Sequence, residues 1–140
     1  MLPWSPLGGG WLTGKYHKDL VPAGATRLGE DPDRGVEAYS RRAPQQRTWD
    51  ILEAVEKVSL EKGRPMAQVA LSWVRDRPGV SSVILGCRTC AQLEDNLCAD
   101  EVDLSAEEAA LLDLASDPGA ADYPYGQAGV EQRARSIAVG

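Results

Sequence analysis

Apolar residues recur at helical spacing through the middle of the chain and run consecutively in one place. Ile51, Leu52, Val55 and Val58 share one face, Lys57 and Lys62 load the C-terminal half, and Gly63 is a stop. This predicts an amphipathic helix over Thr48–Lys62. A second stripe of Met66, Val69, Ala70, Trp73 and Val74 predicts a buried helix face directly afterwards, with Pro65 in its first turn and Pro78-Gly79 at its end. Trp73 reads here as core. The period then changes. Val83, Ile84 and Leu85 form a short apolar run broken by Gly86, as expected of a buried parallel strand covered on both faces. Thr89 followed by Gln92 matches a capping box and predicts a helix over Cys90–Cys98. Ser105 followed by Glu108 predicts another, running to about Ala115, whose stripe is Ala109, Leu112 and Ala115.

The flanks of this pattern are less regular. Leu2–Leu7 reads as the end of a strand and a turn, followed by Gly8, Gly9 and Gly10, where the backbone can take positive φ or come close to a ligand. From His17 to Arg47, proline, glycine, aspartate and arginine dominate, which predicts a long irregular loop with Arg27, Arg34, Arg41 and Arg42 mostly solvated. Residues 117–140 are expected to be a poorly ordered tail, leaving 1–116 as the folded unit.

Composition narrows the function classes. With 140 residues, 43% hydrophobic and 26% charged, the chain has the make-up of an ordinary globular domain. A net charge of -6 argues against a nucleic-acid surface, so an anionic ligand would have to be held locally. No apolar run is long enough for a membrane span and no signal peptide is evident, which gives an expectation of a cytoplasmic protein without a membrane partner. Three cysteines fit reduced thiols better than a disulfide framework.

Three features could carry chemistry. The helix beginning at Thr89 presents free N–H groups beside Arg88, an arrangement that attracts anions; the alternative is an ordinary strand–turn–helix with a solvated arginine. Gly9, Gly14 and Lys15 approach the phosphate-binding loop pattern, but Tyr16 stands where a magnesium-binding hydroxyl belongs. That argues against a nucleotide triphosphatase while leaving a glycine-and-lysine phosphate cradle open. Cys87 and Cys90 form Cys-x-x-Cys at a helix N-terminus, either a redox pair or inert thiols. His17, the one histidine, has no partner at metal-ligand spacing, and no metal site is expected.

Two segments, Pro3-Trp4-Ser5-Pro6-Leu7-Gly8-Gly9-Gly10-Trp11-Leu12-Thr13-Gly14-Lys15-Tyr16 and Val83-Ile84-Leu85-Gly86-Cys87-Arg88-Thr89-Cys90-Ala91-Gln92-Leu93-Glu94-Asp95-Asn96, in this order and separated by Gly63–Trp73, resemble the cofactor-binding half of the aldo-keto reductases. The likeness runs to about Ser116 and is nearest the bacterial and potassium-channel β-subunit-like branches. It implies an α/β fold, the C-terminal portion of a (β/α)8 TIM barrel incomplete as a barrel: about the last two strands, Met1–Trp4 ending the seventh and Ser82–Gly86 forming the eighth, with their helices. The implied cofactor is NADP(H). Trp4 matches the aromatic that stacks on the nicotinamide, and Ser5, Pro6, Leu7, Gly8 and Gly9 match the loop around the pyrophosphate. Lys15 and Arg27 match cationic positions in a closing flap. Gly86 and Arg88 match the adenosine 2′-phosphate site, and Gln92, Asp95 and Asn96 the helix surface against the adenosine.

The family's catalytic Asp, Tyr, Lys and His lie on earlier strands that have no counterpart in these 140 residues. The resemblance therefore implies the cofactor-binding part of a carbonyl-reducing, hydride-transfer enzyme, inactive alone, with the carbonyl substrate bound only in the full-length family. Uncovered strand edges predict weak stability or self-association. The alternative is a non-catalytic NADP-binding or interaction module. Asp95 replaces the commoner glutamate, and Cys87 and Cys90 occupy variable positions, which favours inert thiols.

Overall fold

The computed structural model describes residues 1–119, whose regular structure is helical. The helices are α1 (Arg27–Glu30), α2 (Tyr39–Arg42), α3 (Gln46–Lys62), α4 (Met66–Arg75), α5 (Cys90–Leu97) and α6 (Ala106–Ser116), with 3₁₀ segments at Gly8–Thr13, Gly35–Glu37 and Cys98–Glu101. α3 begins two residues before the expected Thr48 and ends on Gly63, whose φ of 61° lets its N–H turn back to the Leu60 carbonyl. Its apolar face buries Leu52, Ala54, Val55 and Val58.

α4 is enclosed more deeply than its stripe suggested. Gln68, Val69, Ala70, Leu71 and Ser72 are buried, because the helix is covered by α3 on one side and by the chain from Cys98 to Val102 on another. Ser72 Oγ donates to the Val102 carbonyl at 2.6 Å, and the Arg75 guanidinium donates to the Ala99 and Val102 carbonyls at 2.9 and 3.1 Å. Trp73 and Val74, expected in the core, are half-buried instead. The indole N–H of Trp73 donates to Asp113 at 2.7 Å and the Arg77 guanidinium lies 4.8 Å from its ring, so a polar edge keeps it at the rim.

α6 packs on α3 through Leu112 and carries the full capping box: Ser105 Oγ accepts from the Glu108 N–H at 3.2 Å, and Glu108 accepts from the Ser105 N–H at 2.6 Å. Ser105→Ala is expected to cost about 1 kcal/mol, read as a lowered urea midpoint. The Glu108 carboxyl is held below its ordinary value by the hydrogen bond from Lys62 and then by the Ser105 N–H. A depressed folded-state value means that this contribution is complete above the ordinary glutamate range and fades as pH falls through the lowered one. Acid titrations of the parent and Glu108→Gln should accordingly converge at low pH.

The segment from His17 to Arg47 is not the irregular loop expected. It closes over Trp11, whose ring stacks on Tyr39 at 5.6 Å and meets Tyr16 and Trp49 edge-on at 5.2 and 5.8 Å. Leu28 is fully buried in this cluster. A single leucine and a tyrosine spaced eleven residues apart produce no periodic signal, yet they order the segment by burying aromatic surface. Arg34, Arg41 and Arg42 are exposed as expected, whereas Arg27 is half-buried.

The strands also differ from expectation. Among the described residues, Met1–Trp4 and Ser82–Gly86 form no strand but a single parallel bridge, Trp4 to Ile84, with Ser81 and Ile84 N–H groups donating to the Met1 and Pro3 carbonyls at 2.9 Å each. Val83–Leu85 is not buried on both faces, and Ile84 is 51% exposed. Pro3 has no N–H to extend the ladder, and no further described segment flanks the pair. The tail expected over 117–140 lies outside the described residues beyond Gly119.

Candidate functional site

The chain after the Trp4 bridge turns abruptly. Ser5 holds a φ of 52°, a left-handed conformation unusual for a residue with a side chain, and Gly8, Gly9 and Gly10 follow at 56°, 68° and 97°. A Cβ on Gly10 would lie 2.6 Å from Lys15 Nζ, and one on Gly9 would lie 3.0 Å from the Glu37 side chain. The glycine run is thus pressed between the Lys15 ammonium and the methylene stem of Glu37. Pro6 and Leu7 are partly buried in the same turn.

Glu37 is 6% exposed. Its carboxylate accepts from Ser5 Oγ at 3.1 Å and lies 3.8 Å from Arg27, while its carbonyl accepts the Trp11 indole N–H at 2.8 Å. Arg27 Nε is buried without a hydrogen-bond partner close to Gly9. A cleft of about 250 Å³ is bordered by Lys15, Tyr16, Pro22 and Thr26. The Gly8 and Gly10 N–H groups are taken by the Ser5 and Leu7 carbonyls at 2.9 Å each, so the cations here, the Lys15 ammonium and the orphaned Arg27 guanidinium N–H, are the groups that suit a phosphate.

The second sequence segment supplies the other end. Thr89 Oγ1 accepts from the Gln92 N–H at 3.2 Å, capping α5, and Gln92 Oε1 accepts from the Arg88 N–H at 2.9 Å. The reciprocal bond therefore reaches one residue before the cap. The guanidinium of Arg88 is bidentate to Glu30, at 2.8 and 2.7 Å. This pairing lowers the Glu30 carboxyl and raises Arg88, first through the hydrogen bonds and then through charge attraction. Gly86 has open space where a Cβ would be, so no steric requirement for glycine is visible there. Gln92 and Asp95 are exposed, the Asp95 carbonyl accepts from Gln68 at 2.8 Å, and Asn96 is half-buried with Nδ2 3.5 Å from Cys87 Sγ.

Of the residues singled out from sequence, the fold brings Ser5, Gly9 and Arg27 together around Glu37, Lys15 over Gly10, and Arg88 beside Gln92. α1 joins the two groups, since Arg27 faces the glycine turn and Glu30 reaches Arg88. Trp4 stands apart, 72% exposed. Glu30 and Glu37 were missed. Their one available signal was the spacing of Arg27 and Glu30 on a single helical turn. Cys87 and Cys90 are exposed free thiols, His17 is exposed, and no group of three His, Cys, Asp or Glu among the described residues could hold a metal.

The Aldo/keto reductase family matches residues 1–117. The chain belongs to the aldo/keto reductase family. Family membership implies a (β/α)8 barrel, whereas the regular structure of the described residues is helical and their parallel pairing is limited to the Trp4–Ile84 bridge. Among relatives within or related to this family, a probable voltage-gated potassium channel subunit beta of Arabidopsis thaliana is 35% identical over 71% of the chain and 29% of its own length. An uncharacterized oxidoreductase of Mycobacterium bovis is 34% identical over 82% of the chain and 33% of its own length. An L-glyceraldehyde 3-phosphate reductase of Escherichia coli O157:H7 is 29% identical over 80% of the chain and 32% of its own length. The chain thus spans about a third of the length of the curated relatives it matches. No helix among the described residues is long and apolar enough to cross a membrane.

Proposed function

We propose that the chain is the C-terminal, cofactor-binding part of an NADP(H)-dependent aldo-keto reductase, holding the dinucleotide along the line from Trp4 through the glycine turn to Arg88. The observation that carries this reading is the convergence of Ser5, Gly9, Arg27 and Arg88 through α1, two segments far apart in sequence that α1 ties into one polar seam. The glycine turn and Lys15 would hold the pyrophosphate, with Arg27 closing on it from the flap. Arg88 would pair with the 2′-phosphate, a bidentate arrangement suited to a guanidinium. Gln92, Asp95 and Asn96 would face the adenosine. Trp4 would offer its exposed indole as a flat support for the nicotinamide.

When bound, NADPH supplies hydride to the carbonyl carbon of an aldehyde or ketone. The chain's own residues orient the dinucleotide and screen its phosphate charge. The proton for the carbonyl oxygen has to come from an acid outside these 140 residues. Exposed Met1, Leu2, Trp4, Ile84, Leu93 and Leu97 are the apolar surface that the rest of a barrel would cover.

Calorimetric titration with NADPH should show binding that Arg88→Gln weakens about 10-fold, as expected for loss of a charge-assisted bond to phosphate. The same protein mixed with NADPH and an aldehyde should leave the NADPH absorbance unchanged. Equal affinity in the parent and Arg88→Gln would overturn the assignment of Arg88, and steady NADPH consumption would overturn the division of labour.

A further inference from the structure

Glu30 is the residue in this seam to which the cofactor reading assigns no contact with the dinucleotide. It sits at the end of α1, and its two carboxylate oxygens take both terminal nitrogens of Arg88, at 2.8 and 2.7 Å, across 58 positions of sequence. A guanidinium that pairs in this way offers the same fork to a carboxylate or to a phosphate, but to one at a time. The carboxylate therefore occupies the donor pair on which a 2′-phosphate would depend. We propose that Glu30 sets the discrimination between 2′-phosphorylated and unphosphorylated dinucleotides by acting as an internal competitor for Arg88, an inference that rests on the dinucleotide reading above.

The two acidic residues of the flap differ in a way that assigns this role to Glu30. Glu37 is enclosed, bonded to Ser5 and pressed against Gly9, so it cannot move away without opening the turn. The Glu30 and Arg88 side chains are about half exposed, at 49% and 48%, and their pair lies at the surface. Exposed ion pairs are weak enough to open for a competing anion. A phosphate monoester carries nearly two charges at neutral pH and three acceptor oxygens, so it wins the guanidinium.

It does so against two opposing effects. The Glu30 pairing is lost, and a freed carboxylate is left beside the incoming phosphate, next to Asp31 and Asp33 in the following turn. A dinucleotide whose ribose keeps a free 2′-hydroxyl meets neither effect, since the pair stays closed. Glu30 consequently lowers affinity for the phosphorylated form and leaves the other form unaffected.

Adenosine 2′,5′-bisphosphate and adenosine 5′-monophosphate differ only by the group in question, and calorimetry of the full chain with each reads the effect without turnover. Glu30→Gln should raise affinity for the bisphosphate about 2- to 5-fold, the span expected for release from a surface ion pair, and leave the monophosphate unchanged. Arg88→Gln should reduce bisphosphate affinity to that of the monophosphate. If Arg88→Gln does so but Glu30→Gln changes neither nucleotide, the competitor role is overturned and the dinucleotide reading stands. Should Glu30→Gln weaken both nucleotides alike, the pair is a clasp holding α1, and the proposal is again wrong. Bisphosphate affinity indifferent to Arg88→Gln would remove the dinucleotide reading and this proposal together.

Discussion

Trp11→Ala is expected to destabilise the chain by about 3–5 kcal/mol, the range for emptying a buried indole site. Trp11 is 4% exposed and sits at the centre of the aromatic cluster, stacked on Tyr39 and edge-on to Tyr16 and Trp49. Its indole N–H also satisfies the Glu37 carbonyl at 2.8 Å, and truncation leaves that buried acceptor unpaired. The flap from Thr26 to Ala43 has little other apolar anchorage besides Leu28 and Tyr39. Urea unfolding followed by far-ultraviolet circular dichroism measures the loss. A change of less than 1 kcal/mol would show that the aromatic cluster contributes little to the fold.

Leu112→Ala should be nearly as costly, at about 2–5 kcal/mol, but through the other half of the core. Leu112 is 4% exposed and packs with Ala54, Val55, Val58 and Val69, fastening α6 to α3 and α4. Its removal should free the amides of α6 to exchange at low denaturant while those of the aromatic cluster stay protected. Leu12 and Met66 touch both clusters. The Trp11→Ala, Leu112→Ala double variant should therefore depart from additivity by about 0.5–3 kcal/mol, whereas independent clusters would give a simple sum.

The helices were legible because each carries its own evidence. The spacing of Ile51, Leu52, Val55 and Val58 and the stop at Gly63 located α3 to within two residues, and Ser105 with Glu108 located the start of α6. These are signals between residues a few positions apart. A strand has no such self-sufficiency. Val83–Leu85 has the composition of one, yet its backbone groups depend on partners distant in sequence, and among the described residues only Met1–Trp4 supplies them. The family likeness singled out the positions of Ser5, Gly9, Arg27 and Arg88, but not what they bond to in the free chain. Glu30 and Glu37 lie among residues whose composition reads as solvated loop. Their pairing with Arg88 and Ser5 depends on how the flap folds over Trp11, a long-range outcome that no local pattern encodes.

The bridge between Trp4 and Ile84 has a consequence for the order in which the molecule assembles. The Ser81 N–H donates to the Met1 carbonyl at 2.9 Å, and this contact joins segments far apart in sequence. Closing so long a loop costs entropy that a single bridge returns only in small part. The connection should thus form after the helices have docked and should be the first to come undone, with the Ser81 and Ile84 amides exchanging ahead of those in α3 and α4. Trp4 rides on that last-made contact, whereas the glycine turn is held by Glu37 and Trp11 from the other side. Under the proposed reading, the glycine turn at the pyrophosphate end would therefore be in place before Trp4, the support for the nicotinamide ring.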